Sequence, residues 1–310
     1  MNKAISLAVA TAALSIASAS PAHALLTRVW VASTGTDTAG CGPIQTPCRS
    51  LQYAHDQTAA GGEIDVKDSA GYGSVTITKA ITIVGDGSLA GVLASSGNNA
   101  ITINAGSSDL VVLRGLTIEG AGVGTNGVRF NSGGNLDIAN CVIQNFVQNG
   151  IDLSPTTGSH AISVTNTAVS HNGSTGLLSE PQGTASMIFV IDRVVAMGNY
   201  SGVTFTAYSG SSATTIGAVT NSIASKNNVD GFSFAVGQFD VDLCHADENG
   251  ILGFNVNSTA VLTIGRSVGA SNGKYGLYND RGTVSSFKDN RFNGNGTSGA
   301  YGTIGTATLF

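Results

Sequence analysis

The chain is short of charge. Lys and Arg number 14 and Asp and Glu 19 among 310 residues, and charged residues make up only 11%. That scarcity excludes a disordered tail or a coiled coil, both of which are built from charged residues. The few basic residues form no cluster able to neutralise a phosphate backbone, so nucleic acid is not an expected partner. Beyond the amino terminus no run is apolar enough to span a bilayer, and no cysteine stands where a lipid would be attached. Phe310 matches the terminal aromatic of outer-membrane barrels, but one residue does not carry that reading.

Apolar residues, at 42%, and 42 glycines are plentiful instead, enough to bury a large core. Residues 1–24, "MNKAISLAVATAALSIASASPAHA", place Lys3 before an apolar run and end in Ala22-His23-Ala24, a small-x-small cleavage site. This is the pattern of a secretory signal removed after Ala24, predicting an exported bacterial protein, periplasmic or secreted.

A glycine followed by apolar-x-apolar recurs at Gly127, Gly150, Gly176, Gly202, Gly231, Gly253, Gly276 and Gly299, in steps of 23, 26, 26, 29, 22, 23 and 23 residues. Ten residues before seven of these glycines stand Asn140, Asn166, Asp192, Asn221, Leu243, Arg266 and Asp289, so that half of the repeat reads as fixed in length. Only the loop after the glycine strand varies. Alternating pairs such as Leu136/Ile138 precede this marker, and short runs such as Val142-Ile143 follow it.

Three short β-rich runs per repeat cannot pair within one repeat and must pair in parallel with their equivalents one repeat away. The predicted fold is therefore all-β, a three-sheet parallel β-helix of roughly nine to eleven coils. Asn and Asp at the marker suit a tight bend. A second polar series, Asn172, Asn227, Asn249, Asn272 and Asn295, shares one later offset. We divide the mature chain into a cap over 25–70, coils over 71–300 and a closure over 301–310, with a helix predicted at Ser50 to Ala60. The cap would cover the open apolar end of the first coil.

Cys41 and Cys48 enclose a short loop and are expected to form a disulfide in an exported protein. Cys141 and Cys244 each follow a marker but lie four coils apart, about 19 Å at a strand spacing of about 4.8 Å, so two buried free thiols are predicted.

Two motifs fail their context. Gly122-Val-Gly124-Thr-Asn-Gly127 precedes a strand and not a helix that could hold a pyrophosphate. Gly269-Ala-Ser271-Asn-Gly273 falls in a turn with no His or Asp placed to complete a triad. His55, His160, His171 and His245 share neither a rung nor a metal-ligand spacing, and His171 reads as an exposed, unconstrained position. Asp240 and Asp242 alternate on one strand and are candidates for calcium or acid/base chemistry, although no acid stands beside them one coil away.

Arg129 and Asp152 each sit two residues after a glycine and so stack on the outer side of neighbouring coils. The row continues through Leu178, Thr204, Ser233, Asn255, Tyr278 and Tyr301. A stripe of one Arg, one Asp, small polar groups and two tyrosines is a candidate sugar-binding surface, because tyrosine offers a flat apolar face and a hydroxyl.

The repeat "NTAVSHNGSTGLL" resembles the right-handed parallel β-helix of the pectin lyase-like superfamily over nearly the whole mature chain. The stretches "TGTDTAGCGPIQTPCRSLQYA", "AAGGEIDVKDSAGYGSVTITKAITIVG" and "KDNRFNGNG" are similar to exported bacterial β-helix proteins described only by their fold. The resemblance implies that the marker Asn is the ladder residue of the short turn between the second and third sheets. It also implies that the strand after each glycine belongs to the first sheet, whose outer face forms the substrate groove of the superfamily's enzymes. The hydrolase motifs N-T-D, D-D, G-H-G and R-I-K are absent, and no cluster of calcium-binding acids with a nearby Arg is assembled. Fold alone does not confer function. Two expectations follow: a non-catalytic exported scaffold for carbohydrate or cell-envelope contact, with no cofactor, or a lyase or hydrolase acting on an acidic polysaccharide from the first-sheet face, with Arg129 and Asp152 as its catalytic candidates and calcium as its one possible ion.

Overall fold

Runs whose alternate residues are apolar favour an extended backbone, which sends neighbouring side chains to opposite faces. In the computed structural model, which describes residues 25–308, such runs wrap into three parallel sheets of 12, 10 and 7 strands. The predicted signal segment and Phe310 lie outside the described residues. One coil illustrates the path. Val128–Ser132 lies in the ten-stranded first sheet, Asn135–Ala139 in the twelve-stranded second and Val142–Gln144 in the seven-stranded third. The chain then returns to the first sheet at Ile151–Leu153, directly beside Val128–Phe130.

Register keeps the core continuous. Leu136, Ile162, Phe189, Gly217, Phe239, Leu262 and Val284 follow one another across the second sheet. Rings of Phe189, Phe205, Phe234 and Phe239 meet inside with centroids 4.3 to 5.5 Å apart. Each is buried, and burial of such a side chain contributes about 1.5–3 kcal/mol.

The recurring glycine reflects a close approach between coils. A Cβ on Gly127 would lie 2.4 Å from the Gly150 carbonyl oxygen, and one on Gly176 would lie 2.7 Å from that of Gly202. Any side chain there would force neighbouring rungs apart.

Two turns differ from the sequence-based expectation. The bend between second and third sheets places one residue per coil in the left-handed region: Asn140, Asn166, Arg193, Asn221, Leu243, Arg266 and Lys288. The expected markers Asp192 and Asp289 are each one place off. The half-repeat is not constant, because the coil ending at Gly202 lacks a residue after Asn199 and the coil ending at Gly299 has one extra before Arg291. Nor is the marker row the continuous ladder that the resemblance implied. Its amide bonds are isolated, as between Asn166 and Asn140 (2.7 Å) and between Asn221 and Asp192 (2.8 Å).

The unbroken row runs instead between the third and first sheets, through Asn172, Asn199, Asn227, Asn249, Asn272 and Asn295. Each side-chain Nδ2 donates to the next Oδ1 at 2.9–3.3 Å. Each backbone N–H donates to the same oxygen at 2.9–3.1 Å. Asn199 was hidden from the periodic reading by the residue missing after it.

The helix is shorter than expected, Leu51–Gln57, with Ser50 as its amino-terminal cap. Thr58 starts the strand Thr58–Val66, since Gly61 and Gly62 weaken further helix and the strand gains partners in Leu26–Val31 and Ile81–Val84. Sheet structure therefore begins within the span read as cap. The expected disulfide joins Cys41 and Cys48, whose Cα atoms are 5.0 Å apart. Cys141 and Cys244 are free and buried, as expected, and burial pushes their thiols up to about 11 and about 12.

Candidate functional site on the first-sheet face

The row read from sequence is one register line. Arg129, Asp152, Leu178, Thr204, Ser233, Asn255, Tyr278 and Tyr301 are successive partners across the first sheet. A second line, missed in the sequence, stands one residue before each glycine and includes Asn126, Asn149, Asp230 and Tyr275. The bend at the strand entrance turns it to the same face: Asn149 Nδ2 donates to Asp152 Oδ2 (3.3 Å), and the Tyr275 ring lies 5.4 Å from that of Tyr278. Its constant distance from the glycine was the available signal.

At the amino-terminal end Arg129 and Asp152 form more than a solvent-exposed ion pair. Asp152 is only 4% exposed, and its carboxylate accepts from Arg129 Nη1 (2.6 Å), Ser154 Oγ (2.6 Å) and Asn149 Nδ2. The Arg129 Nε donates to Asn131 Oδ1 (2.9 Å), fixing the plane of the guanidinium. Such a guanidinium presents a planar fork of donors and a positive charge. It borders a cleft of about 460 Å³ whose walls carry Thr76, Asn99, Thr102, Asn126 and Gln52. Gln52 comes from the cap helix, tied to the sheet by Thr76 N–H donating to its Oε1 (2.8 Å). The cap thus supplies one wall of the cleft.

Midway along the face Asp230 is buried, and burial pushes its carboxyl pKa up. Asn255 Nδ2 donates to its Oδ2 (2.8 Å), while Oδ1 has no hydrogen-bond partner. At the carboxy-terminal end Tyr275, Tyr278 and Tyr301 gather around a second cleft of about 480 Å³.

The remaining sequence candidates lie elsewhere. Asp240 and Asp242 sit on the outer face of the second sheet beside a cleft of about 540 Å³, and Arg266 engages the Asp242 carboxylate through Nε (2.9 Å) and Nη2. Among the described residues no three of His, Cys, Asp and Glu converge as a metal-ligand set. His171 is exposed, but its position is constrained: it takes the left-handed conformation shared by Asn145, Gly198, Lys226, Glu248, Ser271 and Gly294. No helix among the described residues is long and apolar enough to cross a membrane.

Neither a protein-family model nor a curated protein matches the chain. The sheets and their winding define a right-handed parallel β-helix. Among solved structures, the chain is similar to the crystal structure of pectate lyase Pel9A, at 14% identity over 90% of this chain and 80% of that one, with a TM-score of 0.61. At that identity the likeness shows the fold alone. A Geobacillus virus E2 structure, ORF18, aligns with 78% of this chain and 54% of its own, at 13% identity and a TM-score of 0.43.

Proposed function

We propose that the protein is exported and binds a polysaccharide or cell-envelope glycan along the outer face of the first sheet, as a scaffold without turnover. The carrying observation is the continuity of that face, where a polar cleft beside a fixed guanidinium and a tyrosine cleft share one register line. A rigid row of donors, acceptors and rings binds a long ligand at little entropic cost to the protein. Export is supported by the leader-like amino terminus and the Cys41–Cys48 disulfide. Turnover is not assigned, because Arg129 is held by Asp152 and the acids of the face, Asp152 and Asp230, stand three coils apart. No cofactor is assigned.

The likeness to a pectate lyase favours one second reading, cleavage of an acidic polysaccharide at this face, with calcium as the ion to test. Incubating the protein with polygalacturonate and other acidic polysaccharides, with and without calcium, separates the two. Binding without new reducing ends or unsaturated-uronate absorbance supports the scaffold. Product formation abolished by Arg129→Ala or Asp152→Ala overturns it.

A further inference from the structure

The three tyrosines at the carboxy-terminal end are packed like core residues yet lie on the outside. Tyr278 and Tyr301 occupy successive places in the register line and stack with centroids 4.9 Å apart and planes 10° from parallel. Tyr275 leans on both, at 5.4 and 5.5 Å. Tyr301 is 49% exposed, so the cluster is not covered by another layer of the fold. Ile251, Leu252, Lys274 and Thr297 line the adjoining cleft together with the rings, so apolar, hydroxyl-bearing and ammonium-bearing residues share it. Flat apolar walls with a hydroxyl and ammonium edge match a ligand that is itself flat and apolar on one face and hydroxylated at its rim. A hydrocarbon would leave the rim unpaired, and a small anion would leave the rings unused.

We infer that Tyr275, Tyr278 and Tyr301 form a stacking platform for the C–H face of a pyranose ring, a second anchor for a sugar chain whose other end lies in the Arg129 cleft. The inference rests on the reading of the first-sheet face as a polysaccharide surface. Six rungs separate Arg129 from Tyr278, about 29 Å at about 4.8 Å per rung. Each rung is close to the length of one pyranose unit. A chain of about six or more units reaches both anchors at once, and the second contact then forms intramolecularly.

Calorimetry on the full chain with linear galacturonate and mannose oligosaccharides, trimer to octamer, tests this directly. The expected result is an affinity rise of about tenfold or more between trimer and octamer, lost in Tyr278→Ala/Tyr301→Ala and kept in Tyr278→Phe. Tyr301→Ala alone, at an exposed site, guards against a folding defect and is expected to lose part of the rise. Octamer binding undiminished in the double variant, or a trimer that binds as tightly as the octamer, overturns the platform and leaves the binding face standing if Arg129→Ala still abolishes binding. No binding by any oligosaccharide overturns the binding face, and the platform with it.

Discussion

Two rows of turn residues run along the solenoid's later coils, and they obey different rules. The row between second and third sheets is exposed and set by its backbone conformation, with only isolated side-chain bonds. It accepts Asn, Arg, Leu and Lys, all in the left-handed conformation. The row between third and first sheets is buried from Asn172 to Asn272, half-buried at Asn295 and fixed by side chains, and over that length it accepts only asparagine. An exposed turn has water to satisfy its polar groups, whereas a buried one must satisfy each donor and acceptor internally. Sequence identity is dictated where water is absent.

The largest expected effect breaks the buried row. Asn227→Ala strands the Asn199 N–H and the Ala196 carbonyl oxygen, both bonded to Asn227. It is expected to cost about 3 kcal/mol in urea unfolding, since each orphaned buried group costs about 1–3 kcal/mol. A loss below about 1 kcal/mol removes the distinction between the rows.

A smaller effect extends the same rule to Asp230, a buried polar group with an orphaned oxygen. Its carboxyl pKa is raised by burial above the ordinary 3.8, so the folded state holds this proton to a higher pH than the unfolded chain does. Its contribution to stability is therefore fully present below the ordinary value and declines as pH rises through the folded one. Asp230→Asn is expected to gain about 1 kcal/mol at pH 7 and nothing at pH 3, measured by unfolding at both.

The exposed row yields the smallest changes. Leu243 holds a left-handed conformation (φ 54°) and is 42% exposed. Leu243→Asn is expected to raise stability by about 0.5–1 kcal/mol, because asparagine tolerates that conformation better. Asn166→Ala gives up one exposed amide bond and asparagine's tolerance of the left-handed conformation (φ 45°), and is expected to lower the unfolding free energy by about 0.5–1 kcal/mol. Equal effects at Asn166 and Asn227 would mean that burial does not separate the rows.

The sheets, the register line from Arg129 to Tyr301 and the cysteine pairing were legible in the sequence, because each depends on a period that survives in the residue pattern. The slip to Arg193 and Lys288 was not. A periodic count assumes equal lengths: the missing residue after Asn199 shifts the marker counted from Gly202, and the extra one before Arg291 shifts the marker counted from Gly299. The line through Asn126, Asn149, Asp230 and Tyr275 was written at constant spacing. Plain strand alternation assigns it to the inner face, and only the entrance bend brings it out beside Asp152 and Tyr278. The helix ran short of its expected end because partner strands reward an extended Thr58–Val66 more than local preference rewards another helical turn.

The buried asparagine row also has a direction. From Asn172 to Asn272 the backbone N–H and one side-chain N–H of each asparagine point to the next Oδ1, from the earlier coil to the later one, while the Oδ1 faces back. The amide dipoles therefore add along the axis as peptide dipoles do in a helix, with the positive end towards the later coils. A solenoid without a long helix thus carries an axial polarity, and its two ends are electrostatically distinct before any charged residue is counted.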